Sequence, residues 1–278
     1  MIELGNYNTL GVLRSTSVGV FLGDDDGTEI LLPNKYVPEN VQIDDKLKVF
    51  CYLDHMERPI ATTLTPHVQR NRFGFLKVAE VNQFGAFLDW GLEKHLLVPF
   101  REQRLKMQEG NWYVVFCYLD EQSFRLVASN KLDKFLSNDN LSLQVNDEVS
   151  ALVSRKTDLG WEVIIDNKHK GLLFYSDVFR PISIGLKLTC FVKHIREDNK
   201  IDIALQPIGS KMLDTTAENI YDELVANNGF LPLNDKSDPE LIKKQFQISK
   251  KAFKKGIGVL YRNRKILIKD DGIYVVPD

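Results

Sequence analysis

The sequence predicts a multidomain, mainly β chain in which three small closed β-barrels stand in tandem ahead of an α+β domain. The first reason is self-similarity: the string VFCYLD at Val49–Asp54 recurs at Val115–Asp120, an offset of 66. The second is a change of hydrophobic period from 2 to 3.6 after Pro207. The third is composition. With 44% hydrophobic and 27% charged residues among 278, wholesale disorder and collagen-like structure are excluded.

The repeat holds in one ungapped register. At offset 66, Gly19-Val20-Phe21-Leu22 falls on Gly85-Ala86-Phe87-Leu88, and Leu31-Leu32-Pro33 on Leu97-Val98-Pro99. At offset 75 a third copy emerges: Gly85 falls on Gly160, Leu97-Val98 on Leu172-Leu173, Gly110 on Gly185 and Phe116 on Phe191. The copies divide the chain into 1–66, 67–142 and 143–208, leaving 209–278 as the last domain. Each copy reads as short strands. Leu76-Lys77-Val78 and Ala86–Trp90 alternate at period 2; Trp112–Leu119 is a β-branched and aromatic run, and Phe124–Val127 a further short strand. Asp24-Asp25-Asp26-Gly27 and Gly91–Lys94 supply turns. Four or five strands in under ~75 residues suit a closed barrel, which removes sheet edges. Domains this small gain stability by packing on one another.

The last domain reads as three helices and a hairpin. Ala217, Ile220, Tyr221, Leu224 and Val225 form one helical face, opened by a Thr215-x-x-Glu218 capping box and closed at Gly229. Asp238-Pro239-Glu240 starts a second helix and Ser249 caps a third, whose apolar face is Phe253, Ile257 and Leu260. Gly256 and Gly258 weaken that third helix by about 1 kcal/mol each relative to alanine. Lys265–Lys269 and Ile273–Val276 flank Asp270-Asp271-Gly272 as a hairpin. Three helices followed by a hairpin is the winged-helix order, a helix-turn-helix variant.

Charge is distributed unevenly behind a net value of −2. Residues 1–66 carry 5 basic and 10 acidic side chains, whereas 243–269 carry 10 basic and no acidic ones. A polyanion is attracted to the second stretch and weakly repelled by the first. No run of about 18 apolar residues suggests a membrane span. The opening MIELGNYNTL lacks the basic and apolar regions of a secretory signal, and Cys51, Cys117 and Cys190 are too scattered for a disulfide framework or zinc site. A cytoplasmic protein without a membrane partner is expected.

The stretch Val78-x-x-Val81-x-x-Phe84-Gly85-Ala86-Phe87-Leu88, with Leu97-Val98-Pro99, Gly110 and Phe124–Ser129, resembles the S1-like RNA-binding domain, a five-stranded OB-fold barrel. Copies one and three are weaker relatives. Three S1-like barrels ahead of a basic winged helix resemble the bacterial conserved virulence factor B family. That resemblance implies an RNA-binding, virulence-related regulator with single-stranded RNA as its partner.

Candidate contacts follow from both sources. Alternation places Ala86, Leu88 and Trp90 on one face and Phe87 and Asp89 on the other. If the first face fills the barrel, Phe87 points outward beside Phe84, and two exposed rings can stack on unpaired bases. The alternative is that these rings fill a core or a seam between repeats. Lys77 and Arg125 are candidate phosphate contacts. The resemblance carries the S1 aromatic pair onto Phe84 and Phe87 and its late-strand arginine onto Arg125; at Pro99, where S1 domains usually have histidine, it fails. Copy one has Val18 in place of Phe84 and reads as structural. Copy three has Leu159 and Glu162 at the aromatic positions, but Phe174 with Lys168, Lys170 and Lys200 suggests an auxiliary backbone contact. In the tail, Lys250, Lys251, Lys254 and Lys255 fall on the third helix, and Arg262, Arg264, Lys265 and Lys269 at its end and on the wing. Together they suggest a phosphate-binding surface.

No phosphate-loop, nucleophile-elbow, H-E-x-x-H or C-x-x-C pattern occurs, so catalysis and a cofactor are not expected. Asp24–Asp26 reads as a solvated turn rather than a metal site, and Cys51 and Cys117 as core residues. Two other functions stay open. One is a DNA-binding transcription factor led by the winged helix; the other is a protein-interaction scaffold, which Glu162 and the acidic first copy favour.

Overall fold

The structure, a computed structural model, describes residues 1–207 and 210–276, and the side chains of all of these except 210–215. Residues 1–136 form one compact unit and the chain from Ser137 onward a second.

The first unit holds two barrels. β1 (Tyr7–Ser15), β2 (Gly19–Gly23), β3 (Glu29–Pro33), β4 (Lys46–Leu53) and β5 (Pro59–Thr62) close in the order β1-β2-β3-β5-β4. β6 (Arg72–Asn82), β7 (Gly85–Asp89), β8 (Leu96–Pro99), β9 (Trp112–Leu119) and β10 (Leu126–Ser129) repeat it as β6-β7-β8-β10-β9. In each, the third and fifth strands pair in parallel and all other pairs are antiparallel. Alternation fills the first barrel with Leu10, Val12, Leu22, Ile30, Leu32, Val49 and Cys51. Phe124 and Arg125 do not belong to a strand, contrary to the sequence expectation. Phe124 takes a left-handed φ of 54°, its N–H bonds to the Asp120 carbonyl at 2.8 Å, and β10 starts only at Leu126.

The repeat extends to backbone irregularities. The first strand of each barrel bulges at equivalent positions, between Val12 and Arg14, Val78 and Glu80, and Val153 and Arg155. Gly85 has a close-approach role: at φ 151° a Cβ would stand 2.3 Å from the Val98 carbonyl oxygen, so only glycine fits. Each barrel keeps its own core, and two rings of barrel one extend the second core across the seam. Phe50 and Tyr52 of β4 meet Trp90 edge-on, at ring-centroid distances of 5.7 and 6.3 Å. Trp90 therefore seals the seam between barrels, while its neighbours Ala86 and Leu88 fill the second barrel. Its indole Nε1 donates to the Lys94 carbonyl at 2.6 Å.

The second unit contains a third barrel: β11 (Glu148–Lys156), β12 (Gly160–Ile165), β13 (His169–Phe174), β14 (Lys187–Ile195) and β15 (Ile201–Ala204), ordered β11-β12-β13-β15-β14. It also contains α1 (Ser210–Ala226), β16 (Phe230–Leu231), α2 (Pro239–Phe246), α3 (Lys250–Arg262), β17 (Ile266–Lys269) and β18 (Gly272–Val275). α1 begins at Ser210, so Thr215 lies inside the helix and is not its cap; the Thr215 side chain falls outside the described ones. Asp238 and Ser249 cap α2 and α3, accepting from the Glu240 and Ala252 amides. α3 runs unbroken through both glycines. At Gly256 a Cβ would come within 2.8 Å of Ile220 Cδ1 and 3.0 Å of Thr216 Cγ2, so this glycine lets α1 and α3 pack closely. The two-residue β16 adds a strand to the wing, giving the order β16-β18-β17.

Candidate nucleic-acid interface

Barrel two builds a cleft of about 250 Å³ where its outer face meets the β4–β5 hairpin of barrel one. Phe84 and Phe87 line it together with Tyr52, Trp90, Glu57 and Arg125. Phe84 is 63% exposed, on a turn held by its own N–H bonding to Asn82 Oδ1 at 3.0 Å. Phe87 is half-buried between its cross-strand neighbours Glu80 and Leu97. The rings therefore face the cleft and stand outside the barrel core. Arg125 joins them through an ion pair with Glu57, Nε to Oε2 3.3 Å. Lys77 does not line the cleft; it is exposed, paired across the sheet with Asp89 and Trp112.

Two features of this region carry no sequence signal of their own. Phe75 stacks on Trp112 at 5.2 Å, and Trp112 is 53% exposed, which adds a second aromatic surface to barrel two. Lys94 reaches the barrel-one hairpin, donating to the Asp54 carbonyl at 2.8 Å and Glu57 Oε1 at 2.9 Å. Both contacts join residues about forty positions apart, which periodicity within one repeat does not report. In barrel one, the Arg14 guanidinium covers Phe21 at 4.0 Å, so that ring is not open for stacking from this side.

Barrel three differs. Leu159 is exposed and Glu162 is tied to Arg155 and Lys170 in ion pairs. Phe174 faces the Arg196 guanidinium at 5.7 Å, and Arg196 is in turn held by both Asp202 carboxylate oxygens at 2.8 and 3.0 Å. Lys200 is exposed and bonded to Asp198 at 2.6 Å. Trp161 and Tyr175 meet edge-on at 6.2 Å, with the Lys156 ammonium about 6 Å from each ring (6.0 and 5.9 Å).

In the winged helix, α3 presents Lys251, Lys254, Lys255, Tyr261 and Arg262 to solvent. Helical spacing places Gly258 in the same stripe, and a Cβ there would meet nothing within 4 Å. Lys250 donates to the Lys236 carbonyl at 3.2 Å and Lys254 lies 3.6 Å from Asp235. Arg264 occupies a left-handed turn at φ 57° ahead of the wing. Lys265 and Lys269 lie over Tyr221 and Tyr274, at 5.0 and 4.4 Å.

Among the described residues no group of three or more His, Cys, Asp or Glu side chains could hold a metal ion, and no helix is long and apolar enough to cross a membrane. Burial pushes the thiols of Cys51, Cys117 and Cys190 up to about 12, as fits core residues.

Residues 4–64 and 74–131 match the S1 domain family, and residues 218–275 match the CvfB-like winged helix domain. An uncharacterized protein of Bacillus subtilis, YitL, is 29% identical over 279 residues, covering 97% of this chain and 93% of that one. Conserved virulence factor B of Staphylococcus epidermidis is 25% identical over 275 residues, covering 96% and 92%. A crystal structure from Streptococcus pneumoniae, described as a multidomain protein with nucleic acid binding domains, is 26% identical. It covers 98% of each chain at a TM-score of 0.43.

Proposed function

Because this chain belongs to the CvfB-like family, with S1 domains ahead of a winged helix, we propose that it is a post-transcriptional regulator that binds single-stranded RNA. Nucleic-acid binding by S1 and winged-helix domains is the family-level property, and the family is not an enzymatic one. The proposal adds the division of labour. Barrel two holds unpaired bases by stacking on Phe84 and Phe87, with Arg125 at the edge of the same cleft. Barrel three contributes Phe174 and Lys200, and the winged helix contributes Lys250, Lys251, Lys254, Lys255, Arg262 and Arg264 to the RNA backbone. Lys77 extends the phosphate track along barrel two. The observation that carries the reading is the cleft itself, because two phenylalanines beside a cation offer both a π-face and a phosphate partner.

A second reading has its own support. The exposed α3 stripe with Lys251, Lys255, Tyr261 and Arg262 lies on the helix that enters the major groove in helix-turn-helix proteins, which suits duplex DNA. Competition against a labelled single-stranded RNA, using unlabelled single-stranded RNA, single-stranded DNA and duplex DNA of equal length at two salt concentrations, decides between them. Strongest competition by RNA supports the proposal; strongest competition by duplex DNA replaces it with a transcription-factor role.

A further inference from the structure

The cleft on barrel two contains a group that stacking does not use. Glu57 stands at the tip of the β4–β5 hairpin in a left-handed conformation, φ 60°, and lines the cleft together with Phe84 and Phe87. Its Oε1 accepts from the Lys94 ammonium at 2.9 Å. Its Oε2 is buried and accepts no hydrogen bond among the described residues; Arg125 Nε, at 3.3 Å, is close enough for an ion pair but outside hydrogen-bond geometry. A carboxylate facing a site meant for a polyanion is a liability unless it reads something. That oxygen is shielded from solvent, and a base donor reaches it as the exposed Arg125 side chain swings aside, which gives the buried acceptor the hydrogen bond it lacks.

We infer that Glu57 makes this cleft a reader of guanine in the bound strand, an inference that rests on the RNA-binding reading of barrel two. Guanine has two adjacent N–H donors, N1–H and N2–H, on its Watson–Crick edge, which match the two oxygens of one carboxylate. Its O6 lies beside N1 and meets a cation, here Lys94 or Arg125. Adenine and cytosine each place one amino donor beside a ring-nitrogen lone pair, and uracil places one N–H between two carbonyls. Each of these directs a lone pair at a carboxylate oxygen. The cleft volume, about 250 Å³, lies below the ~300–1,000 Å³ of sites for drug-sized ligands and suits a single base laid on the phenylalanine rings. Stacking then supplies affinity for any base, and Glu57 supplies the choice.

The test uses the full chain and labelled ten-nucleotide uridine RNAs carrying one central G, inosine, A or C. The G-containing strand is expected to bind at least about tenfold tighter than the A, C and all-U strands, since a bidentate base contact discriminates on that scale. Inosine, which keeps N1–H and O6 but lacks the 2-amino group, falls between them. In E57Q the ratio of G-strand to all-U affinity, taken within that variant, falls to about one. Guanosine monophosphate competes only at concentrations far above the RNA. Equal binding of all five strands, with F84A weakening every one, overturns guanine reading and leaves RNA binding by barrel two intact. Binding of all strands that F84A does not weaken removes the RNA reading of barrel two itself. Displacement by guanosine monophosphate at RNA-like concentrations assigns the cleft to a free nucleotide and overturns the strand-borne reading. Inosine binding as tightly as G removes the carboxylate contact to N2–H. The inosine arm uses the unaltered protein, so the answer does not depend on how well E57Q folds.

Discussion

Replacing Phe84 and Phe87 with alanine, singly and together, separates stacking from folding because the two rings have different surroundings. Phe84 is 63% exposed, so its removal gives up little buried surface and should leave the melting temperature within about 1–2 °C of the parent. Phe87 is half-buried, and a fully buried phenylalanine costs about 3–5 kcal/mol when cut to alanine, so roughly 2 kcal/mol is expected here. In a unit of this size that lowers the melting temperature by roughly 5–10 °C. Stacking is worth about 1–3 kcal/mol per base, so Phe84→Ala alone should weaken single-stranded RNA binding several-fold and the double variant about tenfold or more. Fluorescence anisotropy with a labelled oligouridine at 25 °C, alongside thermal melts, reads both quantities. The reasoning fails if Phe84→Ala binds as the parent does. It fails equally if affinity falls only in variants whose melting temperature has collapsed.

Replacing Lys250, Lys251, Lys254 and Lys255 with alanine should weaken binding to all RNA sequences about equally and flatten the slope of log affinity against log salt by roughly 1.4–2.1, for two or three lost contacts at about 0.7 each. The double variant of Lys251 and Lys255 should account for most of that change; an unchanged slope would remove α3 from the interface. At pH 8 the three cysteine thiols, pushed up to about 12 by burial, should resist an aromatic disulfide reagent until the protein is denatured, and labelling of the native chain would contradict their placement. For Glu102, burial raises the carboxyl pKa, but Ser129 and Lys134, the latter 3.0 Å away, outweigh it and hold the group below the usual range. Its stabilising contribution is thus present above the unfolded-state pKa of about 4.3 and is lost as pH falls through the lower folded value. Denaturant titrations from pH 7 to pH 3 should show the stability gap between the parent and Glu102→Gln narrowing with acid; a gap constant across that range would show that the pair is not what stabilises the site.

What could be read from the sequence was whatever repeats within one module. Offsets of 66 and 75 align the strands and the glycines Gly19, Gly85 and Gly160; the bulges after Val12, Val78 and Val153 and the close approach at those glycines keep the same offsets but emerge only in the structure. The helix caps at Asp238 and Ser249 were legible because each is a local side-chain-to-backbone bond. Three kinds of feature were not. Trp90 fits the inward alternation of β7, yet its partners Phe50 and Tyr52 come from the preceding barrel, and no periodicity marks a seam. Phe124 reads as a strand residue by type, but its bond to Asp120 closes a turn in which it takes positive φ. Glu57 belongs to the acidic copy and reaches the cleft only because the two barrels pack together. The candidate site was thus half visible: Phe84, Phe87 and Arg125 came from the motif, whereas Lys94, Glu57 and the Phe75–Trp112 stack came from tertiary packing.

The central claim, that barrel two holds unpaired RNA bases on its phenylalanines, is tested most directly by photocrosslinking. The full chain would be irradiated with a 4-thiouridine RNA, digested, and the adducts located by mass spectrometry. The account predicts crosslinks concentrated at Phe84 and Phe87, with further adducts in barrel three and at α3. Adducts confined to α3 and the wing, with none on barrel two, would contradict it.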